Sequence, residues 1–151
     1  MENNNKTING SDKKMDNLLN ALENDTNASI MKLTNNKIKE YKNNILQQIG
    51  LSRDDLKIYH KKLKDYRYCD DFMSIQLGYY IRWISLKNPD NIKLTNGAII
   101  IDIKLLDNGM HLVCKNNMNR IIQIKFDEII IFQKISNQEK VILSVLDYLD
   151  K

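Results

Sequence analysis

No apolar run in this 151-residue chain approaches the ~18–20 residues a membrane-spanning helix needs. The opening stretch Met1–Gly10 lacks the hydrophobic centre of a secretory leader. We therefore expect a soluble, intracellular protein with no membrane partner. Cysteine is scarce as well, with only Cys69 and Cys114 and no Cys-x-x-Cys pair. That usage suits reduced thiols in an intracellular protein, and whether the two pair is left open. Signature motifs of catalysis are missing: no Gly-x-Gly-x-x-Gly, P-loop, Gly-x-Ser-x-Gly or His-Glu-x-x-His occurs. No enzymatic activity and no cofactor is expected, and no small-molecule substrate is inferred.

Asn, Ile and Lys are what the chain does have, 61 of its 151 residues together. Lys outnumbers Arg 19 to 4. All three abundant types have A/T-rich codons, so an A/T-rich genome would raise them without any selection on function. The net charge of +4 is modest and does not by itself argue for nucleic acid. Its distribution is more informative, because residues 1–67 carry the whole excess and 68–151 balance.

Residues 97–135 read as a β-meander. Gly97–Leu106 runs into Asp107-Asn108-Gly109, whose Asn-Gly supplies the positive φ of a tight hairpin, and Met110–Lys115 returns. Ile99, Ile101, Ile103 and Leu105 alternate with Asp102 and Lys104, which predicts that those four apolar residues face the core. Tyr79–Ser85 is a further strand by its aromatic and β-branched content, and Asn88-Pro89-Asp90-Asn91 is a type I turn. Residues 120–135 form two strands bent at Asp127-Glu128. Ser136 with Glu139 is a capping box opening a last helix, whose buried face is Val141, Ile142, Val145, Leu146 and Leu149.

Upstream the pattern is helical. Met15, Leu18, Leu19 and Leu22 make a short amphipathic segment, and Ile30, Ile38, Tyr41, Ile45 and Ile49 keep helical spacing to a stop at Gly50. A third helix is predicted over 53–67, with Ser52 and Asp55 at its start and Leu56, Tyr59, Leu63 and Tyr66 on one face. The expected architecture is α+β: N-terminal helices, then a small five-stranded antiparallel β-barrel or curled sheet, SH3-like or Sm-like, with a C-terminal helix. The domain expectation is a disordered tail over 1–13, a helical arm over 14–67 and the barrel domain over 68–151.

Two sets of residues are candidates for binding. Tyr79, Tyr80, Arg82 and Trp83 are of the types that dominate protein–protein hot spots. Arg53, Lys57, Lys61 and Lys64 form a basic stripe beside tyrosines that suits a phosphate backbone, extended by Lys115, Arg120 and Lys125 on the barrel. Such a stripe is also what the solvated face of any amphipathic helix looks like. No metal site is expected: His60, Cys69, His111 and Cys114 are the only zinc-like set, and 111 and 114 lie on opposite faces of a strand. Among the acidic pairs Asp54-Asp55, Asp70-Asp71 and Asp127-Glu128, only Asp70-Asp71 has no local explanation.

The phrases Tyr80-Ile-Arg-Trp-Ile84, Leu94-Thr-Asn-Gly97, Cys114-Lys-Asn116, Phe126-Asp-Glu128 and Ile131-Phe-Gln-Lys134 resemble an uncharacterised family of large nucleocytoplasmic DNA viruses. The resemblance covers the C-terminal half and implies a host-cytoplasm or virion setting, with no catalytic residue to carry over. The expected function is a non-enzymatic binding module contacting a protein partner or self-associating. Nucleic-acid binding through the basic helix and a virion structural role are the alternatives.

Overall fold

A computed structural model describes residues 10–150. They divide into two compact units. One holds the described residues up to Lys37 together with those from Ser136 onward, and the other holds Ile38–Ile135. The expected tail over 1–13 lies mostly outside the described residues, and helix α1 (Gly10–Glu23) already begins at Gly10.

In the first unit α1, a 3-10 segment (Asp25–Lys32) and the C-terminal helix α4 (Asn137–Leu149) pack on one another. Ala21, Ile30, Ile142 and Leu143 are its buried apolar residues. Buried Asn27 donates from Nδ2 to Ala21 O at 2.8 Å and to Gln138 Oε1 at 3.2 Å. The capping box is present in both halves: Glu139 N donates to Ser136 Oγ and Ser136 N donates to Glu139 Oε1. The buried face of α4 centres on Ile142 and Leu143, while Leu149, expected inside, is exposed. Met15, Leu19 and Leu22 of α1 are exposed too.

The second unit takes the rest of helix α2 (Asn35–Gln48), helix α3 (Arg53–Lys62) and all the strands: β1 (Tyr66–Cys69), β2 (Tyr80–Ser85), β3 (Ala98–Leu106), β4 (Gly109–Lys115), β5 (Ile121–Lys125) and β6 (Ile129–Lys134). The fold is thus α+β with a C-terminal helix, but the sheet has six antiparallel strands, not five, in the order β1-β6-β2-β3-β4-β5. The extra strand comes from the end of the expected third helix. α3 keeps its predicted start, with Ser52 accepting from Asp55 N at 3.1 Å, but stops at Lys62. Tyr66-Arg67-Tyr68-Cys69 then pairs with β6, where alternate tyrosines suit a strand better than a helix end. The expected boundary at 67/68 consequently falls inside β1.

The sheet is open, with β1 and β5 as its edges among the described residues, so the closed-barrel alternative is not what forms. It is nevertheless strongly curled. β5 and β6 are four strand spacings apart in the sheet, ~19 Å if it were flat. The single 3-10 turn Phe126–Glu128 joins them, and at ~2 Å per residue it spans far less. Inside the curl lies a core of Ile81, Trp83, Ala98, Ile100, Leu112, Cys114 and Ile131. On the outer face α2 and α3 cover only β1, β6 and β2, through Leu46, Leu63, Tyr66, Ile84, Ile130 and Phe132.

Before residue 102 the phase of β3 is opposite to the expected one, while Ile103 faces the core as expected. Ala98 and Ile100 are buried, whereas Ile99, Ile101 and Leu105 are exposed. A β-bulge between Ile100 and Asp102 makes Ile101 the extra residue and returns Ile103 to the core side. At the hairpin the positive φ falls on Gly109 (+124°) and not on Asn108.

Candidate interaction surface

The four hot-spot candidates do not form a surface. Trp83 is 7 % exposed in the inner core, which corrects its reading as an exposed anchor. Neighbouring β2 residues alternate faces, so Tyr80 and Arg82 sit on the outer side, both half-buried and both engaged. Tyr80 OH donates to Asn96 O at 3.0 Å, and Arg82 Nε donates to Thr95 O at 2.8 Å. Tyr79 precedes the strand, and its carbonyl accepts from Ile100 N.

The seven basic candidates fall into two groups. Arg53, Lys57 and Lys61 form an exposed stripe along α3, and Lys64 lies just past the helix end, also exposed. Lys115, Arg120 and Lys125 belong to the β4–β5 hairpin. Lys115 and Lys125 share its outer face, while Lys125 Nζ leans to 3.9 Å from Asp127.

Sequence reasoning missed the outer face of β3, β4 and β5. Because register partners share a face, Ile99, Lys115 and Ile121 form one row of it. Asp102, Val113 and Gln123 form the next, and Lys104, His111 and Lys125 the third. Ile99, Ile101 and Ile121 are 43, 46 and 58 % exposed. The helices that cover this face over β1, β6 and β2 do not extend to it, and Tyr80, paired with Ile99, marks the border. The signal in the sequence was the uniform run Ala98-Ile99-Ile100-Ile101, which permits either phase.

Lys42, also missed, is a buried cation at 5 % exposure between α2 and the start of β1. Its Nζ donates to Leu63 O at 2.8 Å and Tyr66 O at 2.9 Å. Burial lowers its pKa, Asp65 opposes that shift and Lys39 adds to it. His60, whose Nε2 meets Asn43 Oδ1 at 3.1 Å, has its pKa lowered by burial and then by the Lys42 charge.

The other chemistry-bearing groups have structural roles. Asp71 caps the 3-10 turn Phe72–Ser74, accepting from Met73 N at 3.0 Å, and this supplies the local role the Asp70-Asp71 pair lacked. His111 Nε2 meets Asn108 Oδ1 at 2.8 Å, and Gln123 Nε2 meets His111 Nδ1 at 3.2 Å. Cys69 and Cys114 are not in a disulfide, and both thiols are buried; burial pushes Cys114 up to about 11. Among the described residues no group of three or more His, Cys, Asp or Glu is placed to hold a metal ion, and no helix is long and apolar enough to cross a membrane. Comparison with protein-family models, curated proteins and solved structures finds no match.

Proposed function

We propose that this chain is a non-enzymatic binding module that takes a protein partner on the outer face of β3–β5. The observation that carries the reading is the set of exposed isoleucines, Ile99, Ile101 and Ile121, on the half of the sheet that α2 and α3 leave bare. Isolated exposed apolar residues need no explanation, but three on one face beside a covered half do. Lys104, Lys115 and Lys125 share this face with Asp102 as its one acidic strand residue, which favours a segment both apolar and acidic. An SH3-like or Sm-like architecture belongs to the same proposal, supported by the β6-β2-β3-β4-β5 order returned on itself by one 3-10 turn. The virus-like phrases of the C-terminal half suggest a viral setting for it.

The test is fluorescence anisotropy with a labelled ten-residue peptide of alternating valine and glutamate, and with its valine–lysine counterpart. The acidic peptide should bind, and Ile99→Ser with Ile121→Ser should weaken it at least tenfold. Equal binding of both peptides, or no effect of the double variant, would refute the assignment of the face.

One observation favours nucleic acid as a second reading: Arg53, Lys57, Lys61 and Lys64 are all exposed and form no ion pair among the described residues. Under that reading, short DNA or RNA binds at about 50 mM salt and is lost steeply by about 200 mM as counterions are released. Lys57, Lys61 and Lys64 to Glu would then abolish it.

A further inference from the structure

β5 is an edge strand built without the usual protection. Natural sheets blunt their edges with proline, bulges, inward charges or very short strands. Ile121-Ile122-Gln123-Ile124-Lys125 has no proline and no charge before its last residue, and its register with β4 is unbroken. Lys125 does not guard the edge, since its stem lies against Gly109 and its ammonium leans toward Asp127.

The direction of the backbone groups follows from one hydrogen bond. Asn116 N donates to Arg120 O at 3.0 Å, so the 116/120 pair exchanges bonds, and in an antiparallel ladder alternate pairs do the same. Cys114 with Ile122 and Leu112 with Ile124 are therefore the bonded pairs. Ile121 and Gln123 turn both N–H and C=O to the open edge. Lys125 turns its N–H the same way, its carbonyl leading into the 3-10 turn. No hydrogen bond among the described residues engages these outward groups.

We infer that the partner segment adds to β5 as a seventh strand, an extended acidic peptide with alternate apolar residues. This rests on the protein-binding reading above and names how the partner is held. Main-chain bonds to Ile121, Gln123 and Lys125 hold the strand, and alternate side chains select it. On one side the added strand extends the core row beside Ile122 and Ile124, which are half-buried and pack on the inner cluster. On the other it lies beside Ile121 and Gln123. Arg120 and Lys125 stand at the two ends of β5 and Lys115 one strand further in, with Asp127 the nearby acid, at Lys125. That charge favours glutamate on the outer side of the incoming strand. It disfavours a second copy of β5, which would bring the same cations to the seam.

The experiment is amide hydrogen exchange by NMR on the full chain, with and without the valine–glutamate peptide, alongside Gln123→Pro. Proline is tolerated at position 123 because that N–H makes no bond within the sheet, and it blocks the centre of the added ladder. We expect exchange at Ile121, Gln123 and Lys125 to slow at least tenfold on peptide addition, with Ile122 and Ile124 already slow without it. Gln123→Pro should weaken the peptide at least tenfold. If the peptide binds but these three amides are unaffected, strand addition is wrong while the face reading stands. If the peptide does not bind at all, the protein-binding reading falls and the strand falls with it. Protection of the same amides without peptide, rising with protein concentration, would overturn the proposal in favour of a second copy.

Discussion

Replacing Lys42 by Met tests the least expected element of the fold. The side chain keeps its length and apolar stem but loses the ammonium that donates to two carbonyls. Leu63 O retains a second donor, Tyr66 N at 3.0 Å. Tyr66 O does not: Ile135 N donates to Asp65 O, so the alternation of the ladder turns Tyr66 away from β6, and Lys42 is the donor that meets its carbonyl. A charge-assisted bond contributes about 1.5–3 kcal/mol, and an orphaned buried carbonyl costs about 1–3 kcal/mol. Relief from burying the ammonium offsets part of this, so we expect Lys42→Met to destabilise the second unit by about 2–4 kcal/mol. Urea unfolding followed by fluorescence of Trp83, the sole tryptophan and a core residue of that unit, reads it directly. The pH dependence gives an independent check. His60 has a lowered pKa, so the unfolded chain binds more protons and stability is lost as pH falls from about 6.5 toward the folded value. Removing the Lys42 charge should raise the His60 pKa and shrink that acid loss. On the alkaline side Lys42 gives up its proton earlier when folded, so its contribution rises with pH up to about 10.4, a rise absent from the variant. Tyr66 and Tyr68, raised by burial, act oppositely near pH 10 in both proteins, and the difference between wild type and variant cancels them. A loss below about 0.5 kcal/mol together with an unmoved His60 titration would refute the clamp.

Gly97→Ala should cost about 2–5 kcal/mol by urea unfolding, because φ is +96° and a Cβ would lie 2.3 Å from the Ile81 carbonyl oxygen, which is backbone and cannot swing away. Ser136→Ala should destabilise α4 by about 1 kcal/mol, seen as faster amide exchange in its first turn, while Ser136→Thr keeps most of the cap. The Cys114 thiol, buried and with its pKa near 11, should react with a thiol reagent at pH 8 only as fast as the second unit opens, so labelling should accelerate with urea in step with unfolding.

What the sequence made legible was local. The Ser52 and Ser136 starts, the Asn88–Asn91 turn with Asn91 N on Asn88 O, the stop at Gly50 (φ +72°) and the bend at Phe126–Glu128 all follow from chemistry within a few residues. What was not legible depends on partners far along the chain. Tyr66 has helical spacing with Leu56, Tyr59 and Leu63, and only the availability of β6, some 65 residues on, makes it a strand. Lys42 reads as one lysine among many on a polar helix, yet the outward carbonyl of Tyr66 draws it inside. The phase of β3 was undecidable from Ala98-Ile99-Ile100-Ile101, because Ile101 sits in a bulge that no residue type announces. That same ambiguity hid the candidate surface, since Ile99 and Ile101, assigned to the core with Ile103, are left on the outside.

The two edges of the sheet sharpen the functional argument. Both leave backbone groups pointing away from the ladder, and leaving such groups bare invites another strand. At β1 the problem is met at Tyr66 from within the chain: its N–H goes to Leu63 O and its C=O takes Lys42 Nζ, at the cost of burying a cation. β1 is also only four residues long, with buried Arg67 in its centre donating from Nη2 to Ser74 O. At β5 no hydrogen bond among the described residues meets the alternate groups of Ile121 and Gln123, and the adjoining face keeps its isoleucines exposed. Lys42 thus satisfies the outward carbonyl of Tyr66, and Tyr68 is the next outward residue of that short strand. On the strand-addition proposal, one partner would use the longer bare stretch of edge at β5 together with the exposed face beside it.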